Sequence, residues 1–319
     1  MSATTGTQSE PAPADQRPAV PGWLPLAAVA VTLLLWASAF VAIRHLGRDF
    51  SPGALSLGRL LIGALCLAAV ALPRGLPRPS GRDLASIVAI GVLWFGVYNV
   101  ALNAGERRVD AGTAAMLIQV SPVLIALLAA LFLGERFTVH LALGLALAFG
   151  GVALIALSSS PGSSGGGGDL VGVLLCVLSA AVYSVSLILQ KPVMARVQAV
   201  HVTWLACTVG AVACLPFAGD LWRETAAAPG SSIAWVVYLG VFPTAIAFTT
   251  YAFALTHMSA SSLGVTTYLV PPITILLGVL FLSEAPPAMA YVGGVLALLG
   301  VALARRKPRT RAGLTAGPA

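Results

Sequence analysis

One arginine, Arg59, lies inside an otherwise apolar run, ALSLGRLLIGAL. A charged group at membrane depth costs at least about 2.5–3.5 kcal/mol, so it needs a partner, water or a route to the interface. Two readings fit Arg59. It is a cation facing a cavity, where it attracts a carboxylate or phosphate, or it snorkels to the nearer interface or to carbonyls of a neighbouring helix. Asn99 and Asn103 are spaced i, i+4 and share one helix face with Tyr98 beside them. A polar stripe on a membrane helix turns toward the bundle interior, where it binds a ligand or glues helices together. Trp94 falls in mid-run, away from the interface where tryptophan anchors. With Trp36, Tyr183, Tyr251 and Tyr268 it builds an aromatic cavity wall or packs a core. Gln119 and Gln190 are weaker candidates for polar groups of the cavity. Pro122 and Pro271 fall near the middle of their runs. Each removes an N–H and frees the carbonyl four residues earlier, those of Ile118 and Thr267. Unpaired backbone at that depth survives only beside protein or a wet cavity, so the pair reads as kinks lining one. Pro243 and Pro272 read as plain kinks.

Other chemistries are missing from the sequence. There is no HExxH, GxSxG or Walker A pattern, and GSSGGGGD lacks the Lys-Ser/Thr and the strand a phosphate loop needs. The four cysteines, Cys66, Cys176, Cys207 and Cys214, lie in apolar runs without CxxC spacing and read as packing residues. No catalytic residue, metal site or cofactor is expected, and the chain is not expected to be an enzyme. No Asp or Glu lies near the middle of a run, and His45, His140, His201 and His257 sit at edges. Any proton coupling is therefore expected to use an edge residue or the substrate's own protons.

The elements that must position these residues follow from composition. Of 319 residues, 58% are hydrophobic and only 9% charged, against about 25% charged in soluble domains. Mean hydropathy is +0.93. Such a chain cannot cover a water-facing surface, which excludes a cytosolic enzyme, a disordered protein and a coiled coil. The net charge of +7 does not signal nucleic-acid binding, because Lys and Arg sit between apolar runs and near the C-terminus. Ten runs have roughly the length of a membrane-spanning helix: 24–43, 54–72, 84–103, 112–133, 138–157, 170–190, 202–218, 233–255, 261–282 and 288–304. The seventh is the shortest. They are too long for strands and lack period-two alternation. Residues 1–23 read as a polar disordered head, and the first run as a retained helix rather than a cleaved signal. The Gly/Ser stretch 158–169 reads as a flexible linker between halves at 24–157 and 170–304, and 305–319 as a basic tail. With the N-terminus cytoplasmic, Arg17, Arg74, Arg78, Arg82, Arg136, Lys191, Arg196 and the Arg305–Arg311 cluster fall inside. Only Arg44, Arg48, Arg107, Arg108 and Arg223 fall outside. The positive-inside rule thus favours both termini in the cytoplasm.

Shifting the sequence by 149 residues lays the fourth and fifth runs over the ninth and tenth. LFLGE at 131–135 meets LFLSE at 280–284, and Pro122 meets Pro271. Gly144, Ala148 and Gly151 meet Gly293, Ala297 and Gly300, and GVAL recurs at 151–154 and 300–303. A repeat of five spans is odd in number, so the second copy enters the membrane upside down. Glu135 then faces the cytoplasm and Glu284 the outside, both at helix ends and suited to capping or tethering. Inverted repeats are the architecture of many secondary transporters, which hold substrate near the midplane between the halves. The expected fold is all-α integral membrane, with ten transmembrane helices as two inverted five-helix repeats. The Gly/Ala stripes let backbones approach closely, within a half or at a homodimer face.

LLWASAFVAIR in the first run, ALSLGRLLIGAL in the second, and SPVLIALLAALFLGER followed by a Gly-rich fifth run resemble the EamA family of the drug/metabolite transporter superfamily. The resemblance covers nearly all of 24–304. It implies a ten-helix fold, a central cavity and transport, often export, of amino acids or other small metabolites. The second half departs from the first by SEAPP in place of GERFT and by lacking an Arg equivalent to Arg59.

The leading expectation is a plasma-membrane secondary transporter moving a small polar metabolite outward by alternating access. Arg59 would attract an anionic group, while Trp36, Trp94, Tyr98, Asn99, Asn103, Gln119, Tyr183, Tyr251 and Tyr268 line the cavity and Pro122 and Pro271 permit rocking. Its expected partners are a small-molecule substrate and the lipid bilayer, and no nucleic acid. Two alternatives stay open: export of amphiphilic drugs or lipid-like molecules, and a non-transporting scaffold or sensor with a Leu-packed centre.

Overall fold

The computed structural model describes residues 21–132, 138–158, 170–258 and 266–304. Residues 1–20 of the head, most of the Gly/Ser linker, Glu135, Arg136 and the basic tail lie outside the described residues, and Trp23, read as the end of the head, opens the first helix. Within them the chain is all helix, without a strand. In lipid, only helices and closed barrels satisfy every backbone group internally, and apolar runs of this length therefore coil.

The helices are α1 Trp23–Leu46, α2 Pro52–Arg74, α3 Gly81–Glu106, α4 Ala111–Phe132, α5 Val139–Ser158, α6 Leu170–Met194, α7 Ala199–Ala213, α8 Leu215–Ala227, α9 Gly230–Ala254, α10 Thr267–Leu282 and α11 Ala288–Ala304. Six of them (α1 to α4, α6 and α9) are long and apolar enough to cross a membrane. The seventh expected run is instead a bent pair, α7 and α8, angled by 51° at Cys214. Pro216 sits in the first turn after the bend, where proline is tolerated and the preceding helix must stop. α5, α10 and α11 contain shorter apolar stretches. Polar residues fix several starts. Ser51 accepts from Ala54 N, Ser80 from Asp83 N, and Asp110 from Thr113 N at 2.8 Å, each quenching an orphan donor.

α3 and α9 are not uniform α-helices. Each contains a seven-residue π-helical stretch, Gly91–Val97 in α3 and Gly240–Ile246 in α9. The two are displaced by the 149 residues of the sequence repeat, which carries the correspondence beyond the fourth and fifth runs. Each opens on a glycine pressed against the other half. A Cβ on Gly91 would stand 2.7 Å from the Ala206 carbonyl of α7, and one on Gly240 2.9 Å from the Arg59 carbonyl of α2.

The small-residue stripes face each other within the chain. A Cβ on Gly144 would meet the Gly300 carbonyl at 2.5 Å, and one on Gly151 the Gly293 carbonyl at 2.4 Å. The residue numbers rise along α5 as they fall along α11, so the two helices pack antiparallel. The faces that sequence offered to a homodimer are occupied by this seam.

Neither proline expected near mid-span sits inside an unbroken helix. α4 is interrupted at Gln119–Val120, and Pro122 is second in the next helical segment, Ser121–Phe132. Pro271 is second in Val270–Leu282, after a 3₁₀ turn at Thr267–Leu269. There a missing N–H costs nothing, since the first turn has no intrahelical acceptor for it. The two carbonyls expected to be freed are both bonded. Ile118 O accepts from Ser121 Oγ at 2.6 Å, and Thr267 O from Gln119 Nε2 at 2.7 Å.

Candidate functional site

The two π-helical stretches and the breaks in α4 and α10 surround one cavity of about 300 Å³. Small-molecule sites run to ≈ 300–1,000 Å³, so this volume suits a ligand of few heavy atoms. The α1 wall runs from Trp36 to Ile43, and α2 supplies Arg59 and Leu60. α3 presents Trp94, Phe95, Tyr98, Asn99 and Leu102, and α4 presents Gln119, Ser121 and Pro122. The second half adds Tyr183, Leu187, Thr244, Phe248, Tyr251, Thr267 and Val270. Irregular backbone at membrane depth is thereby confined to where it lines a cavity.

Of the residues expected to face a cavity, Arg59, Trp36, Trp94, Tyr98, Asn99, Gln119, Tyr183 and Tyr251 do so, as does Pro122. Asn103, Tyr268 and Pro271 do not. Asn103 is buried one turn beyond Asn99, and its Nδ2 donates to Ser56 Oγ at 2.9 Å and to Pro52 O at 3.3 Å. It ties α3 to α2, the gluing role of a polar stripe. Tyr268 packs against a small apolar cluster around Val120, Val123 and Ala148. Gln190 is buried away from the lining.

Arg59 does not snorkel. Its Nε donates to Thr244 Oγ1 at 3.0 Å, while Thr244 donates in turn to Leu239 O at 2.9 Å. The donor relay crosses from one half to the other, and the π-helical widening around Pro243 aims Thr244 at the guanidinium. Pro243, read as a plain kink, is thus part of the site's scaffold. The aromatic wall is contiguous. Trp94 lies 5.1 Å from Tyr183 and 5.5 Å from Phe248, and Trp36 lies 5.8 Å from Phe248 and 5.1 Å from Tyr251. Edge and tilted contacts at these separations are the preferred aromatic geometries. Phe248 joins the two tryptophans, yet a phenylalanine in an apolar run carries no signal of that role. Thr244 was equally unmarked.

At one end of the cavity the bundle is closed by Arg44. Its Nε pairs with Glu284 Oε2 at 2.9 Å, and its Nη1 donates to the Glu106 carbonyl at 2.8 Å. A second pocket is lined by this pair with Gly47, Arg48, Arg107 and Leu282. Near the same end Ser232 Oγ donates to Asp49 Oδ2 at 2.6 Å, and Ser51 N to Glu224 Oε2 at 2.8 Å. At the opposite end Arg196 pairs with Asp83, and His201 bonds the Gly75 carbonyl at 2.8 Å. The bond to Asp83 raises the Arg196 guanidinium above its ordinary value. Among the described residues no cluster of three or more His, Cys, Asp or Glu could hold a metal.

A profile of the EamA-like transporter family matches residues 23–157 and again 170–306. The chain belongs to the EamA-like transporter family. Each half of this EamA-like chain therefore matches the same profile by itself. The chain is 40% identical over 282 residues to the "Probable terminal-alkyne amino-acid exporter" of Streptantibioticus cattleyicolor, covering 88% of this chain and 93% of that one. It is 31% identical to the uncharacterized transporter YdfC of Bacillus subtilis, covering 84% and 86%. An uncharacterized transporter of Archaeoglobus fulgidus is 30% identical, with 88% and 98% covered. A solved structure described as a crystal structure of protein aligns with a TM-score of 0.59 at 24% identity over 88% of this EamA-like chain and 96% of its own, a likeness of fold. The chain is thus a multi-pass membrane transporter.

Proposed function

We propose that this transporter exports a small metabolite bearing a carboxylate, an amino acid with a compact apolar side chain being the best fit. The observation that carries this is the lining of the cavity, where one guanidinium shares the wall with eight aromatic residues and two amides. Arg59 and Thr244 would orient the carboxylate, Gln119 and Asn99 would take the remaining polar group, and Trp36, Trp94, Tyr183, Phe248 and Tyr251 would enclose the side chain. A charge-assisted hydrogen bond contributes about 1.5–3 kcal/mol, so orientation would rest chiefly on Arg59. The amino-acid exporter to which the chain is 40% identical supports the same class of cargo.

In this reading the polypeptide crosses the plasma membrane ten times as two inverted halves with both termini cytoplasmic. The antiparallel seam of α5 and α11, the double family match and the equivalent π-helical stretches support that arrangement. Alternating access would then be one half rocking against the other around a fixed site. The Arg44–Glu284 pair closes the outward end. An open, polar-lined centre speaks against a scaffold with a Leu-packed middle. A carrier of apolar cations would gain nothing from Arg59.

The test is a growth-toxicity screen with and without overexpression, using terminal-alkyne and ordinary amino acids. Resistance to one or more of them is expected. Arg59→Gln should reduce efflux about 10- to 100-fold, the equivalent of the lost ionic contact. Protection that Arg59→Gln leaves intact, or no protection against any amino acid, would overturn the proposal.

A further inference from the structure

Glu106 is the last residue of α3, three residues beyond the end of the predicted run, and it is fully buried. The reason lies next to it. Gly105 packs so closely on α6 that a Cβ there would stand 2.8 Å from Cys176 Sγ and 3.2 Å from the Gly172 carbonyl. The helix end is drawn into the bundle and takes the glutamate with it. Neither carboxyl oxygen of Glu106 has a hydrogen-bond partner. A buried carboxylate anion without a partner is strongly disfavoured, because its hydration is lost and nothing replaces it.

Glu106 also completes a line. Asn99, Asn103 and Glu106 are spaced i, i+4, i+7 on one face of α3, and the side-chain oxygens of both amides are likewise without partners. The line starts at the cavity, which Asn99 lines, and ends beneath the Arg44–Glu284 pair, which lines the second pocket. Several groups face Glu106. Arg44 of α1 and Arg59 of α2 are the cations around it. Asp110 of the next turn and Glu284 at the end of α10 are the acidic groups around it, and Tyr98 of its own helix and Cys176 of α6 are neutral neighbours. Arg107 and Arg108 follow it in sequence and are exposed. Arg44 touches the Glu106 backbone carbonyl while its Nε is held by Glu284.

We propose that Glu106 is the proton-binding site of this transporter, and that its proton decides which carboxylate Arg44 holds. With the carboxyl protonated, Arg44 stays on Glu284 and the end of the bundle is shut, as seen here. With the proton gone, the Glu106 anion competes for the guanidinium already resting on its own carbonyl. Glu284 is released and the end opens. The step is R–COO⁻ + H⁺ ⇌ R–COOH, with no other bond changed. Coupled to the export proposed above, one proton enters for each substrate that leaves. The proton is taken up from the second pocket and given up along Asn103 and Asn99 to the cavity.

The first arm of the test needs no substrate. Infrared difference spectra of the purified wild-type protein, stepped between acid and alkaline pH, should contain the carbonyl stretch of a protonated, weakly hydrogen-bonded carboxyl. That band should vanish in Glu106→Gln, which mimics the protonated shape and so should fold, and shift in Glu106→Asp. Absence of the band from the wild type, or its persistence unchanged in both variants, would overturn the proposal. The second arm uses propargylglycine in proteoliposomes. Wild type should accumulate it against a pH gradient. Glu106→Gln leaves Arg44 on Glu284 and the end shut, so it should lose that accumulation, its ratio falling to one, and lose exchange with propargylglycine on the other side as well. Accumulation that survives Glu106→Gln, or follows a sodium gradient at constant pH, would overturn the coupling. A wild type that moves no propargylglycine would count against the cargo proposed above, leaving the carboxyl band to decide the proton site.

Discussion

Ser283 adopts φ 54, the left-handed region, and is the one non-glycine residue to do so among those described. It ends α10, and its turn lets Glu284 N donate to Gly278 O at 3.2 Å. This is how the Glu284 carboxylate comes to face Arg44. The first half carries Gly134 at the equivalent place, as LFLGE against LFLSE shows. A left-handed L-residue costs roughly 1–2 kcal/mol, whereas glycine does not. Ser283→Gly should therefore leave transport intact and keep or raise the thermal midpoint, while the β-branched Ser283→Val should lower it and loosen the Arg44–Glu284 pair. A scanning-fluorescence melt of the purified variants checks both. At this scale the sequence was partly legible. A lone arginine or a mid-run tryptophan is conspicuous among leucines, so the placement of Arg59 and Trp94 in a cavity wall could be read ahead. Glu106 escaped because hydropathy ends a helix at the first charges, whereas the close approach of Gly105 to α6 decides what is buried. Asn103 and Tyr268 were misplaced because helical periodicity gives a face without saying which neighbour covers it.

Among the elements, the irregular ones build the site. A break in α4 and a late start in α10 put Gln119 beside the Thr267 carbonyl, joining the two halves where prolines begin both segments. Sequence showed that carbonyls near Pro122 and Pro271 needed partners, but not that a glutamine of one half would serve the other. Gln119→Leu would leave the Thr267 carbonyl unpaired beside the cavity. Such a loss costs about 1–3 kcal/mol when the group stays buried and less when water reaches it. The expected result is a modest drop in melting temperature together with weaker substrate binding, and Gln119→Glu, which cannot donate when ionised, should behave like the leucine variant. Binding isotherms on the purified proteins separate this from a purely structural role, in which melting alone would change. The π-helical stretches were not legible at all. Their sequences, GVLWFGV and GVFPTAI, share little beyond an opening Gly-Val, and a wide turn depends on what packs against it.

At the scale of the whole molecule, the alternating access proposed above needs one seam that holds and another that gives. The holding seam is α5 against α11, where the glycines of each helix meet backbone carbonyls of the other. Interiors packed this tightly cannot slide by less than a full step. The yielding seam runs through Arg44 and Glu284, whose side chains are 26% and 28% exposed, and a pair so open to water contributes only about 0–1 kcal/mol. A tie of that strength can be exchanged at the rate of a transport cycle, whereas the glycine seam cannot. The contrast gives a prediction with an internal control. Gly151 and Gly150 are neighbours on α5, but a Cβ on Gly151 would be driven into the Gly293 carbonyl while one on Gly150 would meet nothing within 4 Å. Gly151→Leu should force the helices apart, at a cost above the ~1–3 kcal/mol usual for overpacking because backbone cannot yield as a side chain does. Gly150→Leu should be neutral, since an added apolar side chain there projects away from the packed core. Size-exclusion profiles and melting curves of the two variants decide it. Equal behaviour would mean that the two halves are not hinged on this seam, and the rocking proposed for export would need a different axis.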